Sequence, residues 1–280
     1  MEDERDLSDV RKRARERMKG ICGVYQICDG DLSRLCQGIK YGKPIGMGGV
    51  GKGLSFDANV QALDRIKLRT RLITPHLEPD MSTKIFGVDL SLPAMPSSIS
   101  GVKASMGGSL KEIDFAKSVL KGAKDSGTLG WIGNTSDVGE ETTGIEAVKS
   151  VGGGVTMFKP QGNKRLHELI NMAEEAGAIA VGVDLDGVGS TNWERHGKPV
   201  YRKSVNELEE LSDSTDLPFI AKGIMSVEDA LDALDAGVRG IDVSNHGGRA
   251  LDSTRGVAEV LPEIVKAVEN RVTITAGGGV

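Results

Sequence analysis

The stretch from Ile241 to Asp252, which reads IDVSNHGGRALD, predicts the fold of the whole chain. Its first residues, Ile241-Asp242-Val243, have the character of the end of a buried strand. A turn rich in glycine and polar residues follows over 244–249, and a helical pattern begins near Val257. Strand, glycine-rich loop and helix is the layout in which α/β proteins place chemistry at the carboxyl ends of parallel strands.

Two side chains of this loop can carry chemistry. His246 exchanges a proton near neutral pH, and Arg249 presents a planar fork that matches a carboxylate or a phosphate. Gly247 and Gly248 have no side chains, so a flat ligand can approach the backbone. A base and an anion clamp at this spacing suit proton removal from a small acid. The same residues also fit a plain βα turn with a solvated arginine, and the spacing alone leaves both interpretations open.

Outside the loop, short apolar strands alternate with helical stretches, which predicts a parallel sheet with right-handed crossovers. No dinucleotide-binding fingerprint follows the first strand, so an α/β fold of the TIM (β/α)8-barrel type is favoured over an open sheet. The expected strands are 92–96, 128–132, 154–158, 178–183, 217–221, 240–243 and 272–275, and a small hairpin is expected over 85–90. The expected helices are 4–18, 55–67, 109–124, 140–150, 163–176, 204–212, 226–236 and 257–269.

This pattern predicts an incomplete barrel. About seven strands are counted, and the last one runs into a glycine-rich segment ending at Val280. We expect a truncated or partial chain, or a second chain that covers the gap, because an unclosed barrel exposes two sheet edges. We place an N-terminal helical and glycine-rich extension at 1–78 and the barrel at 79–280.

The charge and hydrophobicity of the sequence argue against two classes of partner, nucleic acids and membranes. The net charge of −5 is offset by no basic block, which argues against nucleic acid as a partner. No apolar run approaches the ~20 residues that span a bilayer, and the charged first residues lack a signal core. We therefore predict a cytoplasmic protein without a membrane partner.

Three further features carry weak signals. The three cysteines, Cys22, Cys28 and Cys36, have no close Cys-x-x-Cys pair, so we predict no metal site. The glycine run 46–53 imitates a phosphate loop but lacks the hydroxyl residue after its lysine. The remaining histidines, His76, His167 and His196, lie in polar surroundings and are predicted to be surface residues.

Three stretches resemble one family. SNHGGR at 244–249, followed by LD and by LPEIV at 261–265, is similar to the signature of the FMN-dependent α-hydroxy-acid dehydrogenase/oxidase family, which includes glycolate oxidase and lactate oxidase. PFIAKGI at 218–224 resembles the strand-five lysine motif of that family, and 78–87 resembles the segment that leads into its barrel. The likeness runs from about residue 45 to the end and is strongest over 217–265.

The resemblance implies FMN as the cofactor and oxidation of a small 2-hydroxy acid to the 2-keto acid, in a chain that forms homo-oligomers. It implies that His246 is the general base, that Arg249 pairs with the substrate carboxylate, and that Lys222 stabilises negative charge on the reduced flavin. The residues implied to contact the cofactor are Lys222, Ser244, Gly247, Ser98, Ile99, Ser100, Gly277 and Gly278. No metal is implied.

Several positions depart from the family pattern. Ile45 stands where the family has an active-site tyrosine, Ser98 replaces a proline, and Gly277 replaces an aspartate. Lys159-Pro160 and the pair Asp184 and Asp186 stand where many members have other polar residues. These departures indicate a different substrate or lost activity. The alternatives are a flavin-dependent isomerase of the isopentenyl diphosphate type, which should lack the pair of His246 and Arg249, and a non-catalytic barrel.

Overall fold

The structure, a computed structural model, describes residues 39–40, 43–44, 50–105, 110–190, 193–194 and 196–277. Its strands are β1 (Ile39–Lys40), β2 (Lys43–Pro44), β3 (Thr83–Ile85), β4 (Val88–Leu90), β5 (Trp131–Gly133), β6 (Val155–Phe158), β7 (Ala180–Asp184), β8 (Phe219–Ile224), β9 (Gly240–Val243) and β10 (Thr273–Ala276). Its helices are α1 (Leu54–Arg65), α2 (Val102–Ser105), α3 (Glu112–Asp125), α4 (Thr143–Val151), α5 (Asn163–Glu175), α6 (Val205–Asp213), α7 (Val227–Asp235) and α8 (Val257–Val268). The predicted helix over 4–18, the cysteines and Ile45 lie outside the described residues.

Strands β5 to β10 form one parallel sheet in which each strand pairs with the next one along the chain. A helix lies in every connection between them, from α4 after β5 to α8 after β9. This order is that of a (β/α)8 barrel, and the six strands of the described sheet make it an incomplete one. The predicted fold class is confirmed.

The predicted helices of the barrel agree with the structure to within a few residues; the helix expected over 257–269, for example, is Val257–Val268. The hairpin is also confirmed, and its turn residues Phe86 and Gly87 have φ of 49° and 81°. The strand expected over 92–96 is wrong. Pro93 and Pro96 lack the N–H groups that a strand ladder needs, and the chain joins the sheet only at an isolated bridge between Ile99 and Ile132.

Side chains alternate between the two faces of the sheet. Ile132, Phe158 and Val181 pack outward against the helices. Trp131, Val155, Met157, Ala180 and Ile220 form a second cluster inside the barrel. Each fully buried Val, Ile, Met or Phe side chain among these stabilises the fold by about 1.5–3 kcal/mol relative to exposure. Because every second side chain of a strand points to the same face, the same alternation determines which side chains at the carboxyl ends point into the barrel.

The hairpin of β3 and β4 covers the amino-terminal end of the barrel. Ile85, Phe86 and Val88 pack on the inner cluster, and Leu90 is part of it. A side chain at Gly240 would lie 2.9 Å from the Phe86 ring, so a larger residue there would have to displace that ring. Apolar side chains therefore fill the amino-terminal end of the barrel interior. A site built from polar side chains is expected at the carboxyl ends of the strands.

Candidate active site

A row of polar side chains crosses the barrel interior at the carboxyl ends of five neighbouring strands. We call it the interior charge row. Continuing the alternation inward, successive strands contribute Lys159 (directly after β6), Asp184 (β7), Lys222 (β8), Asp242 (β9) and Thr275 (β10). Positive and negative groups alternate along the row, so each buried charge lies beside an opposite one, as burial requires.

Lys222 is the centre of this row and is 3% exposed. Its ammonium donates to Ser244 Oγ at 2.8 Å and lies 3.2 Å from Asp242 Oδ2 and 3.8 Å from Asp184 Oδ1. Asp242 is itself held by the hydroxyl of Thr275, which donates to Oδ1 at 2.8 Å. The lysine therefore keeps its charge in the interior because two carboxylates compensate it.

The loop after β9 forms a short 3-10 turn over His246–Gly248. His246, Gly247 and Gly248 have φ of 56°, 64° and 74°, so the backbone is left-handed at three consecutive residues. For histidine this conformation is strained. The backbone N–H of His246 donates to Ser244 Oγ at 3.1 Å, which ties the strained residue to the end of β9.

The imidazole of His246 is oriented through Nδ1. This atom lies 2.9 Å from Asp186 Oδ1 and 3.4 Å from Asp184 Oδ1. The other oxygen of Asp184 pairs with the Lys159 ammonium. The side chain of His246 remains 27% exposed while the two carboxylates are buried or nearly so, so the ring faces outward from a charged interior.

These contacts shift the pKa values of the site. Burial would raise the pKa of Asp184, but Lys159, His246 and Lys222 hold it well below its ordinary value. Burial and the charge of Asp184 raise the pKa of Asp186. Burial would lower the pKa of Lys222, and the neighbouring carboxylates, Asp184 first, raise it instead. The Lys159 ammonium lowers the pKa of His246, yet the carboxylates outweigh it and the net shift is upward.

Arg249 is exposed at the rim of the same loop. Its guanidinium lies over Gly247, since a side chain built there would meet it at 3.8–3.9 Å. Gly248 packs against the backbone of Ser55 and Phe56 and leaves no space for a side chain. The predicted pair of His246 and Arg249 therefore lies on one loop that α1 supports.

Helix α1 fixes this loop through buried amides. Asn59 and Asn245 exchange hydrogen bonds through both side-chain amide groups, at 2.9 and 3.0 Å. Asn59 Oδ1 also accepts the backbone N–H of Val257 at 3.0 Å, at the start of α8. The loop is thus held between two helices rather than by its own turn alone.

The other residues predicted to contact the cofactor lie outside the interior charge row. Ser100 Oγ donates to the backbone oxygen of Asn134 beside β5 at 2.7 Å, while Ser98 is half-buried and Ile99 exposed. The backbone N–H of Gly277 donates to the carbonyl of Val243 at 3.0 Å, which puts it next to the loop after β9. Gly278 lies outside the described residues.

Sequence reasoning missed Asp242 and Thr275 and noticed Asp184 and Asp186 only as departures. A carboxylate inside the apolar run Ile241-Asp242-Val243 was the available signal, because a buried aspartate needs a partner. The surface prediction holds for His76 and His196, which are exposed, while His167 is half-buried beside Glu210.

Asp184, Asp186 and His246 are close enough for one cation, with ligand atoms within 4.8 Å of one another. Two ammonium groups already compensate these carboxylates, from Lys159 and from Lys222. A metal ion there would lie against two positive charges, which disfavours it. The cluster is better described as an ion-paired acid–base site.

An incomplete (β/α)8 barrel with a histidine, an arginine and a buried lysine at the carboxyl ends of its strands has the architecture of a barrel enzyme. The sequence profile of the FMN-dependent dehydrogenase family matches residues 45–203 and 193–280. The chain belongs to this family, and FMN is the cofactor of the family. The predicted resemblance is confirmed, and the match does not favour the isomerase alternative.

Individual proteins similar to this chain agree with the family assignment. The chain is 29% identical over 270 residues to a peroxisomal (S)-2-hydroxyacid oxidase of Arabidopsis thaliana, covering 83% of this chain and 71% of the relative. It is 28% identical to an L-lactate oxidase of Lacticaseibacillus rhamnosus, covering 81% and 68%. A mandelate oxidase variant solved with an FMN adduct is 30% identical, with a TM-score of 0.67 and coverage of 83% and 72%. A lactate oxidase structure from Pediococcus acidilactici shares the fold, with a TM-score of 0.73 at 23% identity over 99% and 76%.

The residues present fit the polar edge of a flavin. That edge consists mainly of hydrogen-bond acceptors, and the interior offers the Lys222 ammonium at the carboxyl end of β8. Ser244 Oγ accepts from both Lys222 and His246, so its own hydrogen is left to donate. Gly247, which is left-handed and half-buried, adds no side chain of its own to this loop.

Within the described residues, no helix combines the length and apolarity needed to cross a membrane. The cytoplasmic location, the homo-oligomer, the absence of a nucleic-acid partner and the domain boundary at residue 78 stay predictions.

Proposed function

We propose that this chain oxidises a small 2-hydroxy acid to the 2-keto acid. The observation that carries the proposal is the placement of His246, with its ring anchored through Nδ1 to carboxylates and Arg249 on the same loop. A base needs an oriented ring with one nitrogen left for the substrate, and the Nδ1 contacts leave Nε2 for that role. The names of the relatives, which include oxidases of lactate and 4-hydroxymandelate, support this substrate class.

In the proposed reaction, Nε2 of His246 takes the proton of the substrate hydroxyl group. The electron pair of that O–H bond forms the C=O bond as the hydrogen on the α-carbon leaves with its two electrons. FMN, when bound, supplies the acceptor for this hydride equivalent. Arg249 binds the substrate carboxylate through charge-assisted hydrogen bonds.

Lys222 would hold the polar edge of the cofactor together with Ser244. Its ammonium, compensated by Asp184 and Asp242, would also stabilise negative charge that develops next to it. Gly247 places no side chain between the loop backbone and a bound substrate or flavin ring. Asp184 and Asp186 keep the imidazole oriented.

A spectroscopic experiment tests the proposal. The purified chain is titrated with FMN, and the flavin absorption bands are followed under anaerobic conditions during addition of glycolate, lactate and mandelate. We expect one of these acids to bleach the bound flavin, and His246→Asn to abolish bleaching while FMN binding is retained. Bound FMN that no 2-hydroxy acid reduces would contradict the proposal and support the non-catalytic alternative.

Substitution of the anion clamp separates the two binding steps. Arg249→Leu should weaken substrate binding far more than FMN binding, because the exposed guanidinium belongs to the substrate side of the loop. Arg249→Lys is the matched control, since it keeps the charge and loses the bidentate fork. Equal losses of substrate and FMN affinity would count against a carboxylate clamp.

A further inference from the structure

Lys159 is the cation of the interior charge row that has hydrogen-bonding capacity to spare. Its ammonium pairs with Asp184 Oδ2, and within the described part of the chain no other acceptor bonds it. Lys222, by contrast, has three neighbours, Ser244, Asp242 and Asp184. The side chain of Lys159 is also more exposed, at 15% against 4% for Lys222. Because an ammonium has three N–H donors, two of those of Lys159 are left for a ligand.

The fold holds the side chain of Lys159 from both ends. Its backbone N–H donates to Asn134 Oδ1 at 2.9 Å, which fixes the chain where β6 ends. Its aliphatic stem runs past Gly187 in the turn after β7, where an added side chain would lie 2.6 Å from Lys159 Cδ. Asp184 then holds the ammonium. The stem is therefore covered, while the charged head stays partly exposed at the carboxyl end of the barrel.

The ammonium lies next to the groups that the proposed reaction uses. Asp184 connects them, because its Oδ2 pairs with Lys159 and its Oδ1 lies 3.4 Å from Nδ1 of His246. The charge of Lys159 has the largest single effect on the pKa of His246, a lowering that the carboxylates together outweigh. Arg249 lies on the loop of His246 after β9, whereas Lys159 follows β6. The imidazole therefore has one cation on its own loop and a second one from another strand.

The N–H groups that Lys159 leaves for a ligand favour one kind of substrate side chain. An apolar group placed against them would remove their water without replacing its hydrogen bonds, which is costly. A carboxylate would instead accept charge-assisted hydrogen bonds from them. Sites built to hydrogen-bond a substrate group discriminate strongly against analogues that lack it. A 2-hydroxy acid with a second acidic group therefore fits this site better than one with an alkyl or aryl group.

We infer that Lys159 is a specificity-determining residue: its ammonium binds a second carboxylate of the substrate, while Arg249 binds the carboxylate next to the hydroxyl group. The preferred substrates are then 2-hydroxy dicarboxylic acids. This inference rests on the proposed function, since it names the substrate class of that same site. Asp184 holds the ammonium of Lys159 in place for the contact.

Two acids with the same four-carbon chain test the inference. Malate ends in a carboxylate and 2-hydroxybutyrate in a methyl group, and both carry the 2-hydroxy acid unit. Anaerobic flavin reduction in the FMN-loaded chain, followed at several acid concentrations, gives the rate constant of reduction and the Kd for each acid. Lys159→Met removes the charge at similar length, and Lys159→Arg keeps it. The control is Lys198→Met, which removes a half-buried lysine that lies 3.6 Å from Glu141 and outside the interior charge row.

We expect the wild-type chain to favour malate, in rate constant divided by Kd, by on the order of tenfold to a hundredfold, the range of a charge-assisted hydrogen bond. Lys159→Met should abolish this preference, mainly through a higher Kd for malate, while Lys159→Arg and Lys198→Met keep most of it. A disturbance of Asp184 or His246 affects both acids alike and cancels in the ratio. A wild-type ratio of one or less, or the same ratio in Lys159→Met, would overturn the inference.

Binding without turnover separates this inference from the proposed function. Succinate and butyrate are the same pair without the hydroxyl group, and calorimetry measures their Kd for the chain with and without FMN. If neither hydroxy acid reduces the flavin, the proposed function fails, and tighter binding of succinate that Lys159→Met abolishes still identifies Lys159 as the anion site. Equal binding of succinate and butyrate in both forms would then overturn it. If Lys159→Met does not fold, the wild-type ratio and Lys159→Gln decide by the same criteria.

Discussion

Asp242 lies 3.2 Å from the ammonium of Lys222 inside the barrel, so the lysine assigned to the flavin edge has a permanent negative partner. The register of the sheet creates this pair, because Lys222 and Asp242 are directly opposite each other on β8 and β9. A lysine that is already compensated stabilises an added negative charge less than a lone one does. We therefore expect Asp242 to limit how strongly Lys222 would stabilise negative charge on a bound flavin.

Asp242→Asn should raise the affinity for reduced FMN relative to oxidised FMN. Removing the carboxylate leaves the charge of Lys222 compensated mainly by Asp184, so an anionic reduced ring is favoured. We expect about a tenfold change in the affinity ratio, which for a two-electron couple is a positive shift of about 30 mV. The measurement is spectroelectrochemical titration of the bound flavin, with Thr275→Val as the control that removes only the hydroxyl bond to Asp242. A midpoint potential that falls or stays in place would show that Asp242 does not act on the flavin through Lys222.

A second prediction concerns the cap of α1. Asp252, which ends the signature stretch, accepts the backbone N–H groups of Lys52 at 2.6 Å, Leu54 at 2.8 Å and Ser55 at 3.4 Å. It thus caps a helix that begins about two hundred residues earlier. Asp252→Ala should destabilise the protein by about 0.5–2 kcal/mol, the usual value of an N-terminal cap. Urea unfolding measures this loss, and faster amide exchange in α1 should accompany it.

The pKa of Asp252 is lowered by these backbone hydrogen bonds, that of Lys52 first. A lowered folded-state pKa means that the stabilisation is present above the unfolded value near 4 and is lost as the pH falls through the folded value. Asp252→Asn keeps an acceptor and should lose less than Asp252→Ala at neutral pH. Equal stability of all three proteins at pH 7 would mean that the cap contributes nothing.

A third prediction concerns the β-bulge at Gly223, which packs against Asp186. Gly223→Ala should destabilise the fold and displace Asp186, because the new side chain has both an unfavourable φ and a contact at 2.9 Å. Gly87→Ala is the matched control: its φ of 81° is also positive, but nothing lies within 4 Å of the added carbon. The control should lose about 1–2 kcal/mol from the backbone alone, and Gly223→Ala clearly more. If the two variants lose the same free energy of unfolding, Gly223 is needed only for its φ.

The strands of the barrel and the loop after β9 could be predicted from the sequence, because both depend on local patterns. Apolar period and glycine turns located β6 to β10, and His246 and Arg249 stand in one short motif. The strand over 92–96 was wrong because Pro93 and Pro96 outweigh the apolar composition around them.

Contacts between distant residues could not be predicted in the same way. The pairing of Lys222 with Asp242 depends on the strand register, and the approach of Asp186 to His246 depends on a bulge at Gly223. The cap of α1 by Asp252 joins residues that no local pattern connects. Such contacts follow from how elements pack, so only the structure shows them.

The last prediction concerns pH, where stability and activity should move in opposite directions. The net effect of its neighbours is to raise the pKa of His246: Lys159 lowers it, but Asp184 and Asp186 outweigh Lys159. A raised folded-state pKa means that the stabilisation by the ion pair is complete below the unfolded value near 6.5 and is lost as the pH rises through the folded value. The proposed role of His246 as general base needs the neutral ring, so turnover should rise over the same interval in which stability falls. Urea unfolding and kcat/KM measured from pH 5.5 to 9 test both trends, and His246→Gln should remove the stability trend along with turnover. A wild-type protein that gains stability across this interval while His246→Gln does not would contradict the ion-paired histidine.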